Sequence, residues 1–292
     1  MEYNEDKIKS LLEDVQVILL LVHNDAYKTT IKSYDHILYG KSVKDWVKLA
    51  TANANILEIE ARKTDDILSL IRPKLNEKKY TVVLYADTPL LTKKTFLEIL
   101  EYVKIKEIST LKLTRGYVFE TSYIKELEKI YNPQTAYFDE EDFMAAYNLK
   151  QLSMIGDILK SRILSYHLSQ GVRIIDPATT YIDAEVEIEE DVVIYPNNTI
   201  KGKSYLEKGV TLRENNVLEN AYILEHATIT SSFILNSVVG RHCGVGPYAF
   251  IQEESVLEKE AQVGAFVEVK KGKLEEKVRV RRLSFVGKED LE

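Results

Sequence analysis

This chain has few cysteines, a deficit of basic residues and no long apolar run, and each of these features argues against a class of protein. The 292 residues include one cysteine, Cys243, so an intrachain disulfide is impossible and a reducing compartment fits. Lysine and arginine (39) are outnumbered by aspartate and glutamate (46), and the net charge of −7 argues against a broad nucleic-acid-binding surface. No apolar run is long enough to cross a membrane. We therefore expect a cytoplasmic protein that has neither nucleic acid nor membrane as a partner.

The C-terminal half is rich in one pattern, an apolar residue at every sixth position. A period of six fits neither the 3.6 residues of a helical turn nor the alternation of a half-buried strand. It is typical of the hexapeptide repeat of a parallel β-helix, in which short strands stack in triangular coils. The first series is Ile182, Ile188, Ile194, Ile200, Leu206, Leu212, Leu218 and Leu224, and a second, in shifted phase, is Val239, Val245, Ile251, Leu257, Val263 and Val269.

Glycine is also scarce for a protein of this kind, with 12 in the whole chain. The position after the apolar residue usually carries a small or turn-forming residue. In the first series it carries Asp183, Glu189, Tyr195, Lys201, Glu207 and Arg213. We interpret these charged side chains as a solvated face.

The N-terminal half alternates between two other patterns. Continuous apolar runs at residues 15–22 and 80–85 predict buried strands, and residues 111–119 predict a third. Helical segments between them indicate an α/β domain. A helix with one apolar face follows and ends before Gly171. We therefore expect an α/β domain over residues 1–148, a connecting helix over 149–171 and a β-helix over 172–292.

Ordered strings in the second half resemble a known bacterial family. They are G-V-R-I-I-D-P at 171–177, T-Y-I-D-A-E-V-E-I at 180–188, V-I-Y-P-N at 193–197, V-G-P-Y-A-F at 245–250 and V-G-A-F-V-E-V-K-K at 263–271. From residue 171 onward the chain resembles the bifunctional N-acetylglucosamine-1-phosphate uridyltransferase / glucosamine-1-phosphate acetyltransferase. The resemblance implies a left-handed β-helix and a homotrimer.

The first half resembles the same family more faintly. L-Y-A-D-T-P-L-L-T at 84–92 is similar to the family's L-Y-G-D-V-P-L-L-T, and L-Y-G-K at 38–41 to its V-C-G-K. This implies a nucleotidyltransferase-like, Rossmann-like domain. Because the family domain is longer than residues 1–148, we expect a divergent, truncated member.

The phosphate-binding loop of the family is not preserved. Its two glycines, which let the backbone approach the nucleotide, correspond here to Val22 and Asn24. Its arginine corresponds to Ala26, and a downstream phosphate-contacting lysine to Ser33. Losing one charge-stabilising group typically costs about 10²–10³ in rate, and several are lost here.

Two oxygen ligands of the family's Mg²⁺ site have counterparts. The resemblance aligns Asp87 with the metal-binding aspartate and Asn148 with the asparagine that completes the site. Mg²⁺ retains most of its waters and depends on substrate phosphates, so two such ligands suffice only with a nucleotide present. The alternative is that Asp87 is a capping residue after a strand.

The acetyltransferase residues are mostly replaced. The family's histidine base corresponds to Arg282, which stays protonated and cannot act as a base. A tyrosine corresponds to Phe285 and a phosphate-gripping arginine to Gln252, and only Lys270 keeps its family identity as a sugar-phosphate ligand. The alternative, which we favour, is that Lys270 is an ordinary exposed lysine. The family's acetyl-CoA site uses coils beyond residue 292, so acetyl-CoA is not expected.

Three functional hypotheses follow. The first is a degenerate relative with both active sites disrupted, a pseudoenzyme that binds a sugar nucleotide, a sugar phosphate or a homologous enzyme. The second is a residual UDP-N-acetylglucosamine pyrophosphorylase-type nucleotidyltransferase with a rearranged phosphate loop, and the third is a trimeric scaffold without ligand. Whether the chain is an enzyme is left open by the sequence.

Overall fold

The long apolar run near the start of the chain forms a buried central strand, as the sequence predicts. In this computed structural model, which describes residues 3–287, that strand belongs to a mixed six-stranded sheet. Across the sheet the strands are β4 (Ile56–Ala61), β1 (Val15–Val22), β5 (Tyr80–Tyr85), β7 (Gly116–Glu120), β6 (Thr110–Leu113) and β8 (Gln134–Thr135). The pairs β4–β1, β1–β5 and β6–β8 are parallel, and the pairs with β7 are antiparallel. A separate hairpin joins β2 (Ile37–Leu38) and β3 (Lys41–Ser42).

Among residues 3–287, six helices accompany the strands, and most begin at a capping side chain. Ser42, Asp66 and Thr92 each accept a hydrogen bond from the backbone N–H three residues later. The helices are α1 (Glu5–Leu12), α2 (Val43–Ala50), α3 (Ile67–Ile71), α4 (Lys93–Lys106), α5 (Thr121–Glu126) and α6 (Leu149–Ser169). Short 3₁₀ turns lie at Asp25–Tyr27, Ser33–Asp35, Arg72–Lys74 and Glu141–Phe143. None of the helices in the described part of the chain combines the length and apolarity that a membrane span requires.

Both faces of the N-terminal sheet are covered by apolar side chains. Alternate residues of β1 point to opposite faces: Val17 and Leu19 pack in one cluster, and Ile18 and Leu20 pack in the other. A strand buried on both faces needs an almost entirely apolar sequence, and that requirement explains why the run could be recognised. Its one polar residue, Gln16, is bonded to the Lys74 carbonyl and the Asn76 N–H.

The segment at 111–119 is not the single strand that the sequence predicts. It is a hairpin in which β6 and β7 pair antiparallel, with Thr114 and Arg115 at the tip. Gly116 follows the tip with a φ of 132°, and a Cβ there would lie 2.4 Å from the carbonyl oxygen of Val83. Glycine therefore allows the hairpin tip to approach β5 closely.

Two helices of this half are short. Helix α2 ends at Ala50, and the edge strand β4, which the sequence analysis missed, begins at Ile56. Helix α3 ends at Ile71, and Pro73 lies in the 3₁₀ turn that follows.

The chain divides into two units, Met1–Ile158 and Leu159–Glu292, and the second consists of the end of α6 and a β-helix. The β-helix has three parallel sheets, and each coil contributes one strand to each sheet. The first sheet contains β10 (Tyr181–Ile182), β13 (Thr199–Lys201), β16 (Val217–Glu219), β19 (Phe233–Leu235), β22 (Phe250–Gln252), β25 (Glu268–Lys270) and β28 (Phe285–Gly287). The second contains β11 (Glu187–Ile188), β14 (Tyr205–Leu206), β17 (Tyr222–Ile223), β20 (Val238–Val239), β23 (Val256–Leu257) and β26 (Lys273–Leu274). The third contains β9 (Arg173–Ile174), β12 (Val193–Ile194), β15 (Thr211–Leu212), β18 (Thr228–Ile229), β21 (Gly244–Val245), β24 (Gln262–Val263) and β27 (Arg279–Val280).

The predicted fold class, an α/β domain followed by a parallel β-helix of apolar hexads, is confirmed. Residues such as Ile200, Leu206 and Leu212 are fully buried and form one continuous core. Each such side chain contributes roughly 1.5–3 kcal/mol when it is removed from water.

The assignment of Leu224 to the inward positions of the first hexad series is wrong. Leu224 was expected to point inward, but Ile223 pairs with Leu206 and is fully buried, while Leu224 is only partly buried. The step from Leu218 to Ile223 is five residues long, and after a regular step to Ile229 two more five-residue steps lead through Ile234 to Val239. Three one-residue deletions therefore explain the change of phase between the two series.

The turns lie later in the repeat than the sequence analysis assumed. Asp183 and Glu189, directly after inward residues, still donate backbone hydrogen bonds of 2.9 Å to the next coil. The left-handed backbone conformation occurs two or three positions after the inward residue. It is adopted there by glycine at Gly202 and Gly209 and by other residues at Asn197, Asn215, Asn220, His226, His242, Tyr248, Glu260, Phe266, Lys277 and Leu283. Asparagine adopts this conformation readily, whereas larger residues do so at a cost.

Candidate functional site

The predicted metal ligand Asp87 lies at the edge of the N-terminal sheet where three parallel strands end. β1, β4 and β5 run in the same direction, so their carboxyl ends meet, and ligands of α/β sheets bind at this kind of edge. A cavity of about 160 Å³ opens there. Its lining includes His23, Arg62, Lys63, Asp65, Tyr85, Asp87, Arg115 and Tyr147.

The Asp87 carboxylate is occupied by a residue that the sequence analysis missed. Arg115 Nε donates to Asp87 Oδ1 at 3.0 Å, and Arg115 Nη2 donates to Oδ2 at 2.6 Å. The two side chains are 23% and 10% exposed, so the pair is largely shielded from water. Burial alone would lower the pKa of Arg115, but the hydrogen bonds and charge of Asp87 raise it. The guanidinium is therefore a permanent cation in a bidentate ion pair.

Two aromatic rings hold the guanidinium in position. Its central carbon lies 4.1 Å from the ring centroid of Tyr85 and 5.2 Å from that of Tyr147. Planar guanidinium groups bind favourably to aromatic faces. Burial raises the pKa of Tyr85, so its ring stays neutral. The hairpin tip places Arg115 here, and the turn-forming T-R-G at 114–116 was the available sequence signal.

The second predicted metal ligand, Asn148, caps a helix. Its Oδ1 accepts the backbone N–H of Gln151 at 3.0 Å, as the residue before α6. The same segment lies beside Asp87, because the Ala146 N–H donates to the Asp87 carbonyl at 2.8 Å. Ala146 also accepts a 2.9 Å hydrogen bond from the buried Tyr27 hydroxyl. Burial, followed by the charge of Asp87, raises the pKa of Tyr27 to about 12.

These residues do not fit a Mg²⁺ site. Both oxygens of Asp87 are bound by a cation, and Mg²⁺ requires ligand oxygens at about 2.0–2.1 Å in near-octahedral geometry. Within residues 3–287 there is no group of three or more histidine, cysteine, aspartate or glutamate side chains suited to a metal ion.

The loop that corresponds to the family's phosphate loop uses its own N–H groups internally. The Asn24 N–H donates to Ser33 Oγ at 3.2 Å, and the Ala26 N–H donates to Asn24 Oδ1 at 3.1 Å. The Tyr27 N–H donates to the Asn24 carbonyl at 3.2 Å, and the Ser33 N–H donates to His23 Nδ1 at 3.1 Å. A phosphate cradle needs such donors directed at the ligand. Here the N–H groups instead bond to other atoms of the same loop segment.

Lys270, expected to bind a sugar phosphate, lies on β25 of the β-helix. Its Nζ is 3.5 Å from Glu253 Oε1, and its side chain is 26% exposed. In the same sheet, Gln252 Nε2 donates to Glu268 Oε1 at 2.7 Å. One glutamate therefore pairs with Lys270 and a second, Glu268, lies on the same strand. Arg282, at the expected base position, is exposed.

Sequence comparisons identify relatives of the chain. Residues 177–288 match the family model described as the GMPPB C-terminal domain. Bifunctional protein GlmU of Clostridium novyi (strain NT) is 41% identical over 137 residues, covering 47% of this chain and 30% of that protein. GlmU of Clostridium acetobutylicum is 37% identical over 147 residues, covering 50% and 32%. GlmU of Acetivibrio thermocellus is 27% identical over 339 residues, covering 94% and 70%.

These matches confirm the family resemblance, with partial coverage. The two more similar proteins are matched over about a third of their length. Among solved structures, the acetyltransferase domain of PglB from Neisseria gonorrhoeae FA1090 in complex with acetyl coenzyme A aligns with 9% identity and a TM-score of 0.27. The alignment covers 91% of this chain and 95% of that chain. A TM-score this low supports no argument about function.

Proposed function

We propose that this relative of the bifunctional GlmU proteins binds a sugar nucleotide or sugar phosphate at the sheet edge but catalyses neither of the two reactions of its relatives. The observation that supports this proposal is the bidentate Arg115–Asp87 ion pair. It places a protein cation where the resemblance implies a metal ion. The cavity and its basic lining nevertheless offer a place for a ligand.

Nucleotidyl transfer depends on positioning phosphates and neutralising the charge that develops on them. The loop that would supply backbone donors is satisfied internally, and its arginine and lysine positions carry Ala26 and Ser33. Asp87 is engaged by Arg115. Charge stabilisation is thus lost at several points, and we expect pyrophosphate release far below the rates of active relatives.

The acetyl-transfer reaction is proposed to be absent for a separate reason. The resemblance aligns the catalytic base with Arg282, and arginine cannot accept a proton at physiological pH. Lys270 lies beside Glu253, and Glu268 lies on the same strand. A phosphate at this position would meet these carboxylates, so we do not assign it a sugar-phosphate site.

The direct experiment combines an activity assay with a binding assay. Pyrophosphate release from UTP and N-acetylglucosamine 1-phosphate is measured with Mg²⁺, together with calorimetric titration of UDP-N-acetylglucosamine with Mg²⁺ or EDTA. We expect binding without turnover. Mg²⁺-dependent turnover that is abolished by Asp87→Ala would instead support the residual transferase, and absence of both heat and turnover would contradict the proposal.

We also propose that the β-helix forms a homotrimer through an exposed aromatic surface. Phe233 and Phe250 contact edge-to-face in adjacent coils, with ring centroids 6.2 Å apart, and Tyr248 and Phe266 stack at 5.1 Å. Phe233, Tyr248 and Phe266 are 50%, 60% and 57% exposed. Contiguous exposed apolar surface of this kind marks interaction sites.

Light scattering coupled to size exclusion tests the trimer. We expect a mass of about three times the 33.5 kDa of one chain. The double change Phe233→Lys and Phe266→Lys should reduce the mass to that of one chain, whereas Tyr137→Lys, at a 90% exposed residue of the N-terminal unit, should not. A monomeric unmodified protein would contradict this assignment.

A further inference from the structure

We propose that Arg115 acts as a built-in counter-cation, which excludes divalent metal from Asp87 and lets the cavity bind a phosphate-bearing ligand directly. The exclusion of metal stands on the geometry of the ion pair alone. The assignment of a phosphate-bearing ligand rests on the proposed function. The two parts are separated by the experiments below.

The exclusion of metal follows from how completely the arginine engages the carboxylate. Both Asp87 oxygens accept hydrogen bonds, at 3.0 and 2.6 Å, from one planar group. A metal ion that bound Asp87 would either displace the guanidinium or sit beside its positive charge at the remaining lone pairs, in a site shielded from water. Either arrangement opposes metal binding.

Contacts with two aromatic rings and the pairing of its hairpin with β5 oppose displacement of Arg115 by a metal ion. The rings of Tyr85 and Tyr147 lie close to the guanidinium, at 4.1 and 5.2 Å. The hairpin tip that carries it is held against β5 by pairing between Leu84 and Gly116. Removing Arg115 from Asp87 would therefore break two hydrogen bonds and two ring contacts together.

The guanidinium still has donors for a ligand. Arginine has five N–H donors, and the contacts with Asp87 use two of them. No hydrogen bond from the remaining three is present among residues 3–287, although the side chain lines the cavity and is 23% exposed. Arginine with donors to spare is well suited to phosphate oxygens.

The rest of the lining favours an anion with an attached group. Arg62 and Lys63 add two cations to the cavity and Asp65 one anion, so with the Arg115–Asp87 pair the formal sum is positive. A neighbouring groove of about 780 Å³ shares Arg62, Lys63 and Asp65 with the cavity and adds Lys32 and Glu60, so its formal charge is also positive by one. A phosphate at Arg115 could therefore carry a sugar or nucleoside into this groove.

The metal arm of the test uses titration with MnCl₂, followed by electron paramagnetic resonance of free Mn²⁺, on the full-length chain. Arg115→Ala should gain one Mn²⁺ site per chain with an affinity at least about tenfold above that of the unmodified protein. Adding Asp87→Asn to that variant should abolish the gain. Lys112→Ala is the matched control, since it removes an exposed cation from the same hairpin.

Equal Mn²⁺ binding by the unmodified protein and Arg115→Ala would overturn the exclusion of metal. If Arg115→Ala does not fold, as judged by circular dichroism, Arg115→Met gives the same comparison with a side chain of similar length. In either case, tight Mn²⁺ binding at Asp87 in the unmodified protein is itself sufficient to reject the idea.

The ligand arm uses inorganic pyrophosphate and UDP-N-acetylglucosamine as probes with the unmodified protein. Affinity should change less than about twofold between EDTA and excess Mg²⁺, and Arg115→Lys, which loses the planar fork, should weaken it about tenfold. Binding that requires Mg²⁺ would overturn the inference but leave the proposed binding function standing. Absence of binding by either probe would reject the proposed function and the ligand half of the inference, while the metal arm decides the other half.

Discussion

Asn216 lies directly above Asn198 inside a corner of the β-helix, and its Nδ2 donates to Asn198 Oδ1 at 2.9 Å. Both residues are fully buried. The amide of Asn216 also donates to the Arg213 carbonyl at 2.6 Å, and its Oδ1 accepts the Ser232 N–H at 2.9 Å. Asparagine here links three successive coils by hydrogen bonds that the backbone alone leaves unmade.

Replacing this asparagine should therefore destabilise the β-helix markedly. Asn216→Ala leaves the buried Ser232 N–H without a partner and removes the side-chain hydrogen bonds to Asn198 Oδ1 and the Arg213 carbonyl, and we expect the free energy of unfolding to fall by roughly 2–4 kcal/mol. Urea denaturation measures the change. Lys203→Ala, at an exposed position near the same coils, should change it by less than about 0.5 kcal/mol. A similar result for both variants would contradict the structural role of Asn216.

The Asp87–Arg115 pair should show strong energetic coupling. A double-mutant cycle with Asp87→Asn and Arg115→Gln, followed by urea denaturation, isolates the pair, and we expect a coupling of about 1–3 kcal/mol. The exposed pair Lys94–Glu98 on α4, with atoms 3.8 Å apart, provides the control and should give less than about 0.5 kcal/mol. Coupling no larger than in the control would mean that the two side chains are not paired in solution.

Buried His167 should make stability depend on pH. Burial lowers the pKa of His167 below its ordinary value of 6.5, so the folded protein keeps the imidazole neutral while the unfolded chain becomes protonated. Above about pH 6.5 His167 is neutral in both states and does not lower the stability of the fold. As the pH drops below that value, protonation of the unfolded chain lowers the free energy of unfolding. His167→Phe should flatten this dependence between pH 7.5 and 5.5 in urea titrations. An unchanged slope would show that other groups are responsible.

The left-handed corner residues predict opposite effects for two substitutions at one site. Glu260 has a φ of 61°, where glycine is unstrained and a β-branched residue is not. Glu260→Gly should raise the free energy of unfolding by about 0.5–1 kcal/mol, and Glu260→Val should lower it by about 1–2 kcal/mol. Thermal unfolding measures both. Lys259→Gly, one residue earlier, should be destabilising by about 0.5–1 kcal/mol because it only adds freedom to the unfolded chain.

The sequence revealed the parts of the fold that repeat or are buried on all sides. The inward positions from Ile182 to Leu218 could be assigned because they recur with a fixed period in the sequence. Ile223 could not, since a single deletion in a coil shifts the pattern without leaving a local mark. Likewise, strand β4 was missed because it lies at a sheet edge and alternates between charged and apolar residues.

The candidate site was harder to predict than the fold. Asp87 was found through its neighbours in the chain, but its partner Arg115 lies 28 positions away and reaches it only because residues 110–120 form a hairpin. Interpreting that segment as one strand placed Arg115 in the middle of a strand. A contact between distant residues depends on tertiary structure, which short-range patterns do not contain.

The registered stacking of the β-helix gives its first sheet a fixed scale. Residues at one outward position, from Thr199 through Val217, Phe233 and Phe250 to Glu268, follow one another at the spacing between strands, roughly 4.8 Å. Each coil therefore advances the outward residue by one strand spacing along this surface. Two chemical groups can be set any whole number of strand spacings apart by exchanging outward residues in chosen coils, while the inward residues of the core stay the same.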